Sequence, residues 1–234
     1  MTRPTRLYIA TVVLAACGLA AALLARSSTP TPRELVIGLT FSGLMVLAMR
    51  YPLAFGPQMK LNLDTSVTIA AILLFPPGLA MLVVGLGVVV AQRLRRVPLY
   101  GGLFNTGQIM LQAGVGGMIL HATGWDHTLS PFVQPASLAG FVAAVVAMYL
   151  LMTCLVSTVA WLHTGHRPQQ AAPHAVWSAA RSELPSQVSL GVLAAAITHV
   201  TPWALPLLVP LGVAVSRARE RHLELNKKNE ALAH

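Results

Sequence analysis

The sequence predicts an all-α integral membrane protein of about eight transmembrane helices, including two short proline-broken hairpins, with both termini cytoplasmic. Three observations carry that expectation. Of the 234 residues, 10% are charged and 55% hydrophobic, whereas a soluble domain carries about a quarter charged residues. Uncharged stretches of about 18 or more residues recur, each long enough to cross a ~30 Å hydrocarbon core. Lysine and arginine gather in short clusters beside those stretches, the pattern that sorts loops between the two sides of a bilayer. The period-two alternation of a membrane β-barrel is not visible. The net charge of +9 belongs to no basic domain, so the lipid bilayer is the expected partner and nucleic acid is not.

The first span is Leu7–Ala25. Its start, "MTRPTRLYIATVVLAAC", has the basic and apolar regions of an export signal ending in a lipoprotein-type box at Cys17. The chain stays apolar from Gly18 to Ala25, where a processed lipoprotein would turn polar, so the segment reads as a retained helix. Ala16-x3-Ala20 and Ala21-x3-Ala25 have the small-xxx-small spacing of close helix packing, a spacing that arises readily in an alanine-rich chain. Cys17 and Cys154, the two cysteines, read as buried small residues, with neither a disulfide framework nor zinc spacing.

The remaining spans are Leu35–Met49, Leu63–Phe75, Gly78–Ala91, Leu99–Leu120, Ala136–Leu162, Ser186–His199 and Trp203–Ser216. Polar or breaker-rich connectors separate them, the longest being "HTGHRPQQAAPHAVWSAARSELP". Whether Pro76-Pro77 kinks one span or turns a hairpin decides the side of everything that follows. With a hairpin and a cytoplasmic amino terminus, 14 of the 16 Lys and Arg residues fall inside, and only Arg26 and Arg33 outside. One kinked span with the amino terminus inside leaves 4 in and 12 out, against the positive-inside rule. One span with the amino terminus outside gives 12 in and 4 out, so charge alone does not exclude it. Two adjacent prolines followed by glycine, however, remove two backbone donors and read as a turn.

A weak internal repeat favours the hairpin. Thr65-Ser66-Val67 opens a short apolar helix, Pro76-Pro77 breaks it, and a second helix ends in Arg93, Arg95 and Arg96. Likewise Ser186-Gln187-Val188 opens a helix, Thr201-Pro202 breaks it, and a second ends in Arg217, Arg219 and Arg221. Arms of about 14 residues reach only about 21 Å. They must thin the bilayer or sit inside the bundle behind longer helices.

Polar chemistry concentrates on two spans. Asn105, Gln108 and Gln112 share one face of the fifth, at i, i+3 and i+7. Amides are costly in lipid, so that face is expected to point inward, either as interhelical hydrogen bonds or as a small-ligand pocket. Tyr149, Thr153 and Ser157 form a stripe on the sixth span, either its partner or bonded back to its own helix. Asp64 at the start of the third span reads as a helix cap or, less simply, an ion site. His121, His127 and His199, with Asp126, fall on the outer side as weak metal candidates. His163, His166 and His174 fall on the inner side. No motif of a hydrolase, kinase, zinc protease or redox enzyme occurs, so neither catalysis nor a cofactor is expected.

Residues 1–216 thus read as one polytopic domain and 217–234 as a separate helix. From the end of the last span into "RARERHLELNKKNEALAH", Leu211, Ala218, Leu225 and Leu232 recur every seven residues. That spacing suits either the start of a parallel coiled coil, hence a homodimer, or a helix lying on anionic lipid.

The run "LDTSVTIAAILLFPPGLAMLVVGLGVVVAQRLRR" followed by "LYGGLFNTGQIMLQAGVGG" resembles the multi-pass sensory region found amino-terminal to bacterial HD-GYP phosphodiesterases, GGDEF cyclases and some histidine kinases. Phe104, Asn105 and Gln108 match its Phe-Asn-x-x-Gln span, and the resemblance covers roughly residues 35 to 220. It implies a sensor in the bacterial cytoplasmic membrane whose signal passes through the terminal helix to a cytoplasmic output domain. The sequence ends at His234 without an HD, GGDEF or kinase domain, which implies a sensor region without its output or one acting on a separate partner. The rival expectations are a carrier, similar to the substrate-binding membrane subunit of energy-coupling transporters, and an accessory subunit of a membrane complex.

Overall fold

The structure is a computed structural model that describes residues 2–50, 53–54, 60–61, 63–125, 135–164 and 172–201. Seven helices run through them: α1 (Arg3–Leu24), α2 (Pro32–Arg50), α3 (Asp64–Leu74), α4 (Pro77–Leu94), α5 (Leu99–Ala122), α6 (Pro135–Thr164) and α7 (Ala172–Val200). Between α2 and α3 a two-residue antiparallel pair, β1 (Leu53–Ala54) with β2 (Lys60–Leu61), aligns Leu53 with Leu61. Four helices, α1, α2, α4 and Ser137–His163 of α6, are long and apolar enough to cross a membrane, and α3 and Leu184–Val200 of α7 are apolar but shorter. These features fit a membrane location. The eighth expected span, Trp203–Ser216, the tail 217–234, and Asp126, His127 and His166 lie outside the described residues.

The proline pair does separate two helices. Phe75 is extended (φ −121°, ψ 150°) and so is Pro76 (φ −53°, ψ 148°), while Pro77 opens α4. Proline suits that first position because its missing N–H would have no partner there. The start of α2 is fixed by a reciprocal cap. The Thr31 N–H and hydroxyl both donate to Glu34 Oε2, at 2.7 and 2.8 Å, and the Glu34 N–H donates back to Thr31 Oγ1. At the end of α4, Arg96 takes the left-handed conformation (φ 53°), and the Val97 N–H reaches the Gln92 carbonyl. That geometry closes the helix and turns the chain into α5.

Close approaches set the directions. Cβ atoms added at Gly107 and Gly114 would meet Val12 and Leu19, so α1 and α5 run parallel. Gly85 meets Met110, Gly114 meets Met81 and Gly117 meets Pro77, so α4 runs against α5. Gly38 meets Val83 and Gly87 meets Met45, so α2 runs with α4. Thr5 donates to the Leu162 carbonyl at 3.0 Å, which ties the start of α1 to the end of α6. Helices α1 to α6 therefore alternate in direction, and one end gathers Arg3, Arg6, Arg50, Arg93, Arg95 and Arg96. Arg26, Arg33 and His121 lie at the other.

Short α3 is the centre of the bundle. It packs against α2, α4, α5 and α7, and every residue from Thr68 to Leu73 is buried. Phe75 stacks edge-on against Phe41 of α2 at 5.9 Å. At the far end Gly124, at φ 80°, closes α5 and swings Trp125 inward. Trp125 is 1% exposed, and its indole N–H donates to the Leu73 carbonyl at 3.2 Å. A terminal carbonyl of α3 that would otherwise lack a partner is thereby satisfied.

Three expectations need correction. The long connector after α6 is helical from Ala172, so the seventh helix starts 14 residues before Ser186 and carries Pro185 inside it. Alanine-rich "AVWSAARSE" favours helix enough to continue across the proline. Cys17 and Cys154 are exposed. Each stands beside a core position, Ala16 on α1 and Leu155 on α6, and one residue of helix rotates the side chain by about 100° to the outer surface. Of the two small-residue pairs on α1, Ala16 and Ala20 are buried whereas Ala21 and Ala25 are not.

Candidate functional site

The two helices joined at Pro76-Pro77 are unequal: α3 has 11 residues and α4 has 18. Both end at the same turn. Seven residues at 1.5 Å each leave the start of α3 about 10 Å inside the arginine-rich end. The recessed helix start is where the interior polar groups collect.

Asp64 opens α3. It stands at the first helical position, not at the N-cap, which is Leu63. Its Oδ1 accepts the Thr65 N–H at 3.0 Å, and its backbone carbonyl accepts the Thr68 hydroxyl at 2.8 Å. Ser66 is 5% exposed and its Oγ has no hydrogen-bond partner. Gln92 on α4, also 5% exposed, has an unpartnered Oε1.

On α5, Gln108 and Gln112 are buried, whereas Asn105 is half-buried. The amide face does point inward, as the cost of amides in lipid requires. A Cβ at Gly116 would meet Ile72 of α3 and Met148 of α6. Since α3 and α5 run parallel, that contact fixes their register. Thr68 lies one turn back, level with Gln112, and Asp64 two turns back, level with Gln108.

Helix α7 completes the surround. A Cβ at Gly191 would lie 2.8 Å from both Ile69 Cβ and the Ser66 carbonyl. Within 184–200, Gln187, Gly191, Ala195 and Thr198 are the buried positions, a single stripe at helical spacing. Gly191 thus packs on the side of α3 that carries Ser66 and Ile69.

The sixth-helix stripe lies elsewhere. Phe141, Ala144 and Met148 form the buried side of α6. Thr153 and Ser157 are rotated by about 140° and 180° from Met148, among exposed Val146, Leu150 and Cys154. Thr153 donates to the Tyr149 carbonyl of its own helix at 2.9 Å, the back-bonded alternative. Tyr149, Thr153 and Ser157 are each half-buried, and they do not face Asn105, Gln108 and Gln112. His121 and His199 are exposed, and among the described residues no group of metal-binding side chains forms.

The sequence reading missed Gln92 and Gln187 as interior groups. Gln92 was masked by the adjacent arginines, and its signal is that Met81, Val84, Val88 and Gln92 share one helical stripe. Gln187 carries the same signal with Gly191 and Ala195.

The fold and the site together define an all-helical bundle with membrane-length helices around a buried short one. Comparison of the chain with protein-family models, curated proteins and solved structures returns no match.

Proposed function

We propose that the chain is a multi-pass sensor of the bacterial cytoplasmic membrane, with eight spans and the arginine-rich end in the cytoplasm. A small ligand or a membrane state acts on the polar interior. The response passes through the α7 region to the helix at 217–234, which pairs with its copy in a homodimer and drives a cytoplasmic output domain or partner. One observation carries this reading: a buried polar surround at the start of α3, with hydrogen-bonding capacity left open inside an apolar bundle. Open polar groups in such a place are costly unless something occupies them. The gathering of arginines at one end supports the orientation.

The test is a chimera in which a diguanylate cyclase domain of known activity follows His234, expressed in cells with cyclic di-GMP as readout. A sensor gives an output that Gln112→Leu changes and that deletion of residues 217–234 abolishes. An output indifferent to both changes refutes the reading. A carrier is the second reading, favoured by the recessed start of a broken helix, a site used by transporters. It predicts substrate uptake that survives deletion of 217–234.

A further inference from the structure

We propose that the arginine-rich end of the bundle carries a seat for one anionic phospholipid, in a groove on the outer face of α5 between α1 and α4. The phosphate lies against Arg6, and the acyl chains run over Leu99 and Leu103. This inference goes beyond the sensor reading and does not depend on it.

The groove follows from the way α1 and α4 diverge. At the opposite end they touch across α5. A Cβ on Gly78 of α4 would lie 2.9 Å from the Leu24 nitrogen of α1, and a Cβ on Gly114 of α5 would meet both Met81 and Leu19. Arg6 lies about five full turns before Leu24, on the same face of α1. Val89 lies about three turns beyond Gly78, on nearly the same face of α4. Yet Arg6 and Val89 are exposed, as are Leu99, Tyr100 and Leu103 of α5. The two walls have parted, and the floor between them is open.

Charge chooses the occupant. The Arg6 guanidinium sits over the Tyr100 ring, 5.5 Å from its centre, which holds a cation on one wall at the mouth of the groove. A guanidinium attracted to a ring face still presents N–H donors to a second partner, and its paired donors match a phosphate. On the other wall Gln92 packs against Gly102, and exposed Arg93 follows it. Arg6 and Arg93 therefore flank the first turn of α5. No carboxylate lines the groove among the described residues. Glu34 lies in the first turn of α2 at the other end. Asp64 opens α3, whose contact with α5 at Gly116 lies about 140° round that helix from Leu103. A zwitterionic headgroup would bring an ammonium with nothing to pair it, whereas a headgroup of net negative charge fits. Leu103 stands about one turn below Tyr100, the depth at which headgroup gives way to acyl chain beneath an interfacial tyrosine.

The experiment uses the purified full chain in nanodiscs of phosphatidylcholine and phosphatidylglycerol in equal parts, released for native mass spectrometry, which counts the lipids that stay bound. The wild type is expected to retain one phosphatidylglycerol in preference to phosphatidylcholine. Arg6→Gln should lower that preference about fivefold, the contribution of one arginine near an anionic surface. Arg26→Gln at the opposite end should leave it unchanged. Leu103→Trp fills the floor without changing charge and should remove the bound lipid; it alters an exposed position, so it decides should Arg6→Gln fail to fold. Equal retention of the two lipids by the wild type overturns the proposal, as does full preference in Arg6→Gln or in Leu103→Trp. Retention of inorganic phosphate without phosphatidylglycerol, when phosphate is added to the same sample, assigns the site to a soluble anion and overturns it as well.

Discussion

Gly191→Ala tests whether α7 is pressed against α3 as closely as the site requires. The added Cβ would lie 2.8 Å from Ile69 Cβ and 2.8 Å from the Ser66 carbonyl oxygen. Ordinary contact begins at 3.4 Å, so the helices must part by about 0.6 Å. Neither neighbour can rotate away, since one is a Cβ and the other a backbone carbonyl. Overpacking of this kind costs about 1–3 kcal/mol. Alanine also gains up to about 1 kcal/mol over glycine in a helix, so the raw effect is partly hidden. Gly43→Ala on α2 isolates it, because nothing lies within 4 Å of that Cβ and the helix gain is the same. Reversible unfolding in mixed micelles, titrated with SDS, should place Gly191→Ala below Gly43→Ala by about 1–3 kcal/mol. If the two variants agree within about 0.5 kcal/mol, the close α3–α7 packing is wrong.

Further outcomes follow from the same geometry. Trp125→Phe keeps the ring but strips the Leu73 carbonyl of its donor, and should lower stability by about 1–3 kcal/mol in the same titration. Gln112→Leu replaces a buried amide by an apolar side chain of similar size and should change stability by no more than about 1.5 kcal/mol in the same titration. Thr153→Val should change stability by no more than about 0.5 kcal/mol. In a variant with Cys17 and Cys154 replaced by serine, Ser27→Cys in intact cells should react with a membrane-impermeant maleimide and Arg96→Cys should not. Labelling of both positions would reject the proposed topology.

Helix existence was legible because apolar runs and breakers are local. Six of the expected spans match helices to within a few residues, and Phe75-Pro76-Pro77 ended one helix and began another for the reason its missing donors give. The inward turn of Gln108 and Gln112 was legible as well, because it follows from solvation. Which helix those amides would meet was not. Tyr149, Thr153 and Ser157 share a spacing that fits an inward stripe as well as an outward one, and only the contact of Met148 with Gly116 decides between them. The start of α7 was misplaced because Pro185 and the polar residues before it look like a loop, although alanine-rich sequence carries the helix through. Cys17 and Cys154 show the same limit, since a residue in an apolar span can face lipid as readily as core.

The unequal arms of the α3–α4 hairpin have an electrical consequence. A charge resting beside Asp64 sits about 10 Å below the arginine-rich surface, roughly a third of the way through a ~30 Å hydrocarbon core. If the membrane potential falls evenly across that core, an ion entering from the arginine-rich end crosses about a third of it. One elementary charge moved through 100 mV is worth about 2.3 kcal/mol, so occupancy would shift by about 0.8 kcal/mol per 100 mV, close to fourfold. A short helix in the middle of the bundle would make any charged group that binds there a reporter of the cell's energisation.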